Sequence, residues 1–225
     1  MFPDALVFVG GAILVGGVVH VGIPALSAAT GMDGMAAWML LSVPLVFTPI
    51  IVAGLLLLRS EPDRPPWVVR LRLQGPSKQD WAWGLMGLLG VGVGSGVMFL
   101  VCNQAGLDTN PPFARHLQPM TGERLWMFFV WLVYWPINIL GENLAWRAII
   151  LPRMEQRLGR TAWAWNAALW GVFHTAFGLG NLLVLLPSLL GVPFVSQKRK
   201  NTWLAVLLHA GLSGPGFVAL ALGLV

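Results

Sequence analysis

The sequence predicts an all-α, polytopic membrane bundle of about seven transmembrane helices. AVILMFWYC residues make up 56% of the 225, and Asp, Glu, Lys and Arg only 10%; soluble domains carry around 25% charge. The apolar residues gather into long runs at 5–29, 35–58, 81–103, 124–150, 161–179, 180–195 and 202–223, and about 20 residues suffice for one crossing. The basic residues sit in short stretches between those runs, as in proteins oriented by positively charged loops. This composition excludes a water-soluble globule and a disordered chain, and the single Cys102 excludes a disulfide scaffold. The net charge of +5 does not point to nucleic acid, because no basic face is interleaved with aromatic residues.

Each run has its own signature. No basic segment precedes the first, so the N-terminus is expected to be retained rather than cleaved. Pro62, Pro65, Pro66 and Pro76 mark 59–80 as a solvated connector. The third run carries Gly84, Gly87, Gly90, Gly92, Gly94 and Gly96, and small residues at such spacings let helices approach closely in lipid. A nucleotide cradle is not expected there: Gly90-Val91-Gly92-Val93-Gly94-Ser95 lacks the third glycine of the dinucleotide fingerprint, and no strand precedes it. Pro111, Pro112 and Pro119 break 104–123 into a second connector. The fifth and sixth runs share only 35 residues, 161–195, tight for two full crossings at about 1.5 Å per residue, and are expected to form a return hairpin. There is no internal repeat, so the chain reads as a single integral-membrane domain, 1–225, with its motif-bearing core at about 124–223.

If the N-terminus lies inside and seven segments alternate, the 59–80 loop, the 147–160 loop and the 198–200 run share one side. Twelve of the fourteen basic residues then fall there, leaving Arg115 and Arg124 opposite. This is the bias of a cytoplasmic face. It places the N-terminus in the cytoplasm and the C-terminus across an inner or plasma membrane.

Ionisable groups inside a span are expensive and mark function by default. Of the nine acidic residues only Glu142 sits within an apolar run; of the four histidines, His20, His174 and His209 do. Arg147 lies five residues beyond Glu142, and Asn143 and Arg147, at i and i+4, share a helix face; Arg147 also has the reach to snorkel to headgroups. Trp170 precedes His174 by four residues, and Asn166 precedes Trp170 by four, giving a polar stripe fit to line a cavity. His209 has Ser213 at i+4. His20 has no polar neighbour at helical spacing and is expected to pack, and His116 is a loop residue without a signal.

A carboxylate in a site of low dielectric is a better base toward water once ionised. A nearby imidazole shares that water or its proton, and a second imidazole with a hydroxyl or amide can donate to a developing oxyanion. That apparatus suits amide hydrolysis without a covalent intermediate. The same Glu142, His174 and His209 could instead hold zinc, with one position left for water.

These residues, in this order, resemble the CPBP family, which includes the CAAX prenyl endopeptidases and the bacteriocin-processing and immunity proteins of the Abi group. The family pattern is Glu-Glu-x-x-x-Arg, then Phe-x-x-x-His, then His-x-x-x-Asn or Asp. Glu142-Asn143-Leu144-Ala145-Trp146-Arg147 is similar to the first motif, Trp170-x-x-x-His174 to the second and His209-x-x-x-Ser213 to the third. The linker at 71–80 leading into a glycine-rich span also looks like the family's approach to its core. The resemblance implies that Glu142 and His174 activate water, and that His209 and Ser213 stand where the family places its oxyanion donors. Three positions depart from the pattern. Asn143 replaces a glutamate and leaves Arg147 without its carboxylate at i−4, Ser213 replaces Asn or Asp, and Trp170 replaces Phe. The family has been described as both metallo- and glutamate-type; the metal-free reading is preferred, with no cofactor, and zinc is the alternative.

Rival readings differ in class. A rhomboid-like serine protease is suggested by Gly211-Leu212-Ser213-Gly214, but no histidine follows Ser213 in the remaining twelve residues. A zincin lacks its His-Glu-x-x-His. A catalytically impaired relative would act as a membrane scaffold or immunity partner, and a small transporter would use a lone intramembrane Glu as a proton path. The expected partners are a membrane-proximal peptide or lipidated protein and membrane lipid, with no nucleic acid. The cavity is expected between the fourth, fifth and seventh helices, opening toward the basic side where Arg147 sits.

Overall fold

The computed structural model describes residues 2–60 and 66–224. Glu61, Pro62, Asp63, Arg64 and Pro65 of the expected connector lie outside the described residues. The described residues form helices and turns, with no strand. We number the helices α1 (Pro3–Thr30), α2 (Gly34–Arg59), α3 (Trp67–Arg70), α4 (Lys78–Gln104), α5 (125–158), α6 (Ala162–His174), α7 (Leu179–Arg199) and α8 (Thr202–Ala221).

Helix starts follow ordinary capping chemistry. Asp33 accepts from the Met35 amide at 2.9 Å, and Asn201 from the Trp203 amide at 2.9 Å. Ser77 and Asp80 form a reciprocal capping box at the head of α4, satisfying donors that an open helix end leaves bare. Gly159 (φ +55) folds the chain back between α5 and α6, and Gly178 (φ +94) between α6 and α7.

Six helical stretches among the described residues are long and apolar enough to cross a membrane, and one of them, Gly122–Phe177, contains both α5 and α6. The seven expected runs all appear as helix, but α6 has 13 residues, about 20 Å at 1.5 Å per residue. That is short of the roughly 30 Å hydrocarbon core. The 161–195 stretch is thus a return hairpin with one short limb, which corrects the count of full crossings.

Three π-type stretches interrupt the long helices, at Val18–Gly22, Val43–Phe47 and Leu144–Ile150. Each ends two residues before a proline: Pro24, Pro49 and Pro152. A proline lacks the N–H for the i−4 carbonyl, and its ring collides with that carbonyl; widening the preceding turn relieves the collision. Asn166 then donates to the carbonyl of Trp146, inside the third stretch, at 3.1 Å.

The glycine-rich α4 packs against α7 and α8. A Cβ at Gly84 would meet Leu207 at 2.9 Å, at Gly87 Leu208 at 3.0 Å and at Gly94 Pro187 at 3.0 Å, whereas Gly90 and Gly96 face open space. Close approach explains half of the glycines, not all.

Ion pairs and backbone bonds tie the two ends of the bundle. At one end Arg153 and Arg157 reach the fully buried Asp4 at 2.8 and 3.4 Å. There too Arg72 clasps Glu155 with two bonds of 2.7 and 2.8 Å, Arg199 pairs with Asp80 at 2.7 Å, and the Thr202 amide donates to the Arg72 carbonyl. At the other end Arg124 pairs with Asp33 at 2.7 Å, and the Met120 amide donates to the Ala221 carbonyl. The N-terminus therefore shares its end with 66–80, 153–160 and 198–202, as the alternating topology expects. Arg147 does not belong to that loop set: it is buried at mid-bundle with 0% exposure, so it does not snorkel. His20, expected to pack, is exposed on the outer face of α1.

Candidate active site

α5, α6 and α8 bring Glu142, His174 and His209 to one cavity of about 450 Å³. Glu142 is 3% exposed and His174 6%, and the charges of Glu142, Arg147 and both imidazoles lie within electrostatic range of one another. Glu142 sits two residues before the π-type stretch, at the middle of α5 and far from either end. His174 closes α6, where the chain turns back.

Trp170 joins the set. Its indole N–H donates to Glu142 Oε2 at 2.8 Å. Its ring meets His174 edge-on at a centroid distance of 5.1 Å and His209 at 5.4 Å, and the Arg147 guanidinium carbon lies 3.5 Å from the ring centroid. Asn138, one turn before Glu142, donates to Oε1 at 3.0 Å. Both carboxylate oxygens thus accept an N–H.

The two imidazoles are held in opposite tautomers when neutral. His174 Nδ1 lies 2.9 Å from the Trp170 carbonyl oxygen; a carbonyl only accepts, so Nδ1 carries the proton and Nε2 keeps its lone pair. Asn143 Nδ2 donates to the Ile139 carbonyl at 2.7 Å and faces His209 Nδ1 at 3.1 Å, which makes that Nδ1 the acceptor and leaves the proton on Nε2. The pair therefore offers one acceptor and one donor.

Ser213 lines the same cavity. Its hydroxyl donates to the His209 carbonyl at 2.8 Å and accepts from Trp135 Nε1 at 3.0 Å, so its proton is engaged with backbone. Asn166 packs behind the π-type stretch and is not among the cavity's lining residues, so the expected polar stripe reduces to Trp170 and His174. Among the described residues no guanidinium nitrogen of Arg147 has a hydrogen-bond partner, and Asn143 Oδ1 has none. The buried charge of Arg147 rests on the Trp170 face.

Aromatic rings line much of the rest of the cavity. It runs from Glu142 past Tyr134 and Trp131 toward Trp38, Phe113 and Phe177, where Trp38 and Phe113 stack at 4.7 Å. Met35 and Pro111 also line it, so it extends toward the end opposite the basic loops. The expected opening on the basic side is corrected: Trp146, Arg147, Ile150 and Leu151 are all 0% exposed and close that side. Among the described residues no three His, Cys, Asp or Glu side chains are grouped to hold a metal ion.

Sequence reasoning passed over Trp170 and Asn138 as partners of Glu142. The signals were present: an amide at i−4 from the one buried carboxylate, and a motif position whose Phe-to-Trp exchange adds a donor.

Residues 124–214 match the family model described as type II CAAX prenyl endopeptidase Rce1-like. The matched region contains Glu142, Asn143, Arg147, Trp170, His174, His209 and Ser213, and the family is the one the motifs resemble. No curated protein and no solved structure matches the chain. The region is similar to a CAAX-type intramembrane protease, and the chain is an integral membrane protein.

Proposed function

We propose that this protein is an intramembrane endopeptidase, which hydrolyses a peptide bond of a membrane-proximal or lipidated substrate with water activated by Glu142 and His174. The observation that carries the reading is the convergence of one carboxylate and two imidazoles of opposite tautomer on a single cavity deep in an apolar bundle. Glu142, whose two oxygens Asn138 and Trp170 orient, takes the proton of the water and returns it to the leaving amine. His174 Nε2 accepts from the water's other O–H and holds it in place. His209 Nε2–H donates to the oxyanion as it forms. Arg147 adds positive charge behind Trp170, and Ser213 holds His209 and Trp135 in register. The apolar cavity suits a substrate segment that arrives from lipid, and the reading needs no cofactor. The basic end then faces the cytoplasm of an inner or plasma membrane, following the positive-inside bias.

One observation favours a second reading. Both oxygens of Glu142 already accept hydrogen bonds, and Arg147 lacks a carboxylate, as expected of a scaffold or immunity protein that retains the motif residues as interhelical bonds. Purified protein with prenylated and unprenylated peptides separates the two. Cleavage lost in Glu142→Ala and His174→Ala supports the protease; no cleavage of any membrane-proximal peptide by the folded protein supports the scaffold.

A further inference from the structure

A second cleft, of about 640 Å³, opens at the basic end between the α5–α6 turn and the last turn of α7. Arg160, Lys198 and Lys200 line it together with Trp163 and Phe194. Glu155 is the acid at its edge, and both of its oxygens are clasped by Arg72 at 2.7 and 2.8 Å. No carboxylate among the described residues lies within ion-pair distance of Arg160, Lys198 or Lys200. Their neighbour Arg199 points away, to Asp80 at 2.7 Å. Three cations therefore face one cleft without a counter-charge.

The cleft is braced rather than open loop. Gln197 accepts from the Trp163 amide at 2.6 Å and donates to the Gly159 carbonyl at 3.0 Å, locking the head of α6 to α7. Trp163 and Phe194 meet edge to face at 5.3 Å, and Phe194 is 38% exposed. Cations above an apolar aromatic floor, at the level where a membrane helix ends, match an anion attached to acyl chains.

We propose that this cleft binds the phosphodiester headgroup of an anionic phospholipid, with Arg160, Lys198 and Lys200 around the phosphate and the Trp163–Phe194 pair against the glycerol and upper acyl chain. The proposal does not rest on the protease reading, since no residue of the cleft touches the Glu142 cavity.

The test is binding of fluorescent phosphatidylglycerol to the purified full chain in uncharged detergent, with phosphatidylcholine and inorganic phosphate as competitors. Each surface cation contributes about fivefold to such binding. Arg160→Gln/Lys198→Gln/Lys200→Gln should therefore weaken phosphatidylglycerol about a hundredfold, while Lys78→Gln, an exposed cation of the same end outside the cleft, leaves it unchanged. Phosphatidylcholine should not compete. Equal loss in Lys78→Gln, no loss in the triple variant, or competition by phosphatidylcholine would overturn the proposal. Displacement by millimolar inorganic phosphate alone would overturn the lipid as its source.

Discussion

The indole N–H of Trp170 and the Oε2 of Glu142 lie 2.8 Å apart, with the Arg147 guanidinium on the indole ring at 3.5 Å from its centroid. One side chain thus orients the carboxylate, carries a buried cation and separates two imidazoles. A phenylalanine at this position would keep the ring and lose the donor.

Trp170→Phe should therefore cost about 1.5–3 kcal/mol, the worth of a hydrogen bond to a charged group. Trp170→Ala also removes the seat of Arg147 and should cost about 3–5 kcal/mol. Thermal unfolding in detergent ranks the two; no loss in Trp170→Phe would mean that the N–H bond contributes nothing.

Glu142→Gln keeps an oxygen for one of the two donors and removes the base. Cleavage should fall by about 10²–10⁴, the usual contribution of a general base, with the melting temperature held within a few degrees. A rate within threefold of the parent would remove Glu142 from the chemistry.

Asn143→Glu supplies the carboxylate that Arg147 lacks, at the spacing where helix pairs meet. The variant should be more stable by about 1–3 kcal/mol, the cost of a buried group left unsatisfied, while losing the amide that holds the proton on His209 Nε2. An unchanged melting temperature would show that Arg147 needs no partner.

Ser213→Ala removes a hydroxyl whose proton already serves the His209 carbonyl. Stability should drop by about 1 kcal/mol and the rate by less than about threefold. A loss of 10² or more, the scale of a missing oxyanion donor, would restore Ser213 to the donor role expected from the motif.

Cleavage should survive strong chelators in protein assayed to contain no metal. Loss of activity that zinc restores would assign Glu142, His174 and His209 as ligands instead.

The helical class, the order of the segments and the cavity residues were legible because lipid imposes one rule: ionisable groups within apolar runs must have a reason. Glu142, His174 and His209 stood out on that ground, as did His20, which has no polar neighbour at helical spacing. The short limb of α6 was legible only as a shortage of residues, since Gly178 ends it by backbone geometry that the apolar pattern does not encode. Arg147 misled because a long cationic side chain near a basic loop reads as surface, whereas the π-type stretch before Pro152 turns it inward onto Trp170. The direction of the cavity was hidden for the same reason: it depends on Trp146, Ile150 and Leu151 filling one side, and filling is a property of neighbours distant in sequence.

That filled layer has a topological consequence. On the proposed protease reading, a peptide reaches Glu142 from the end of the cavity lined by Phe113 and Trp38, and its fragments leave by the same route. The soluble compartment bathing Arg72 and Arg199 would then meet neither substrate nor product at that site, and signals from it would have to act through the scaffold.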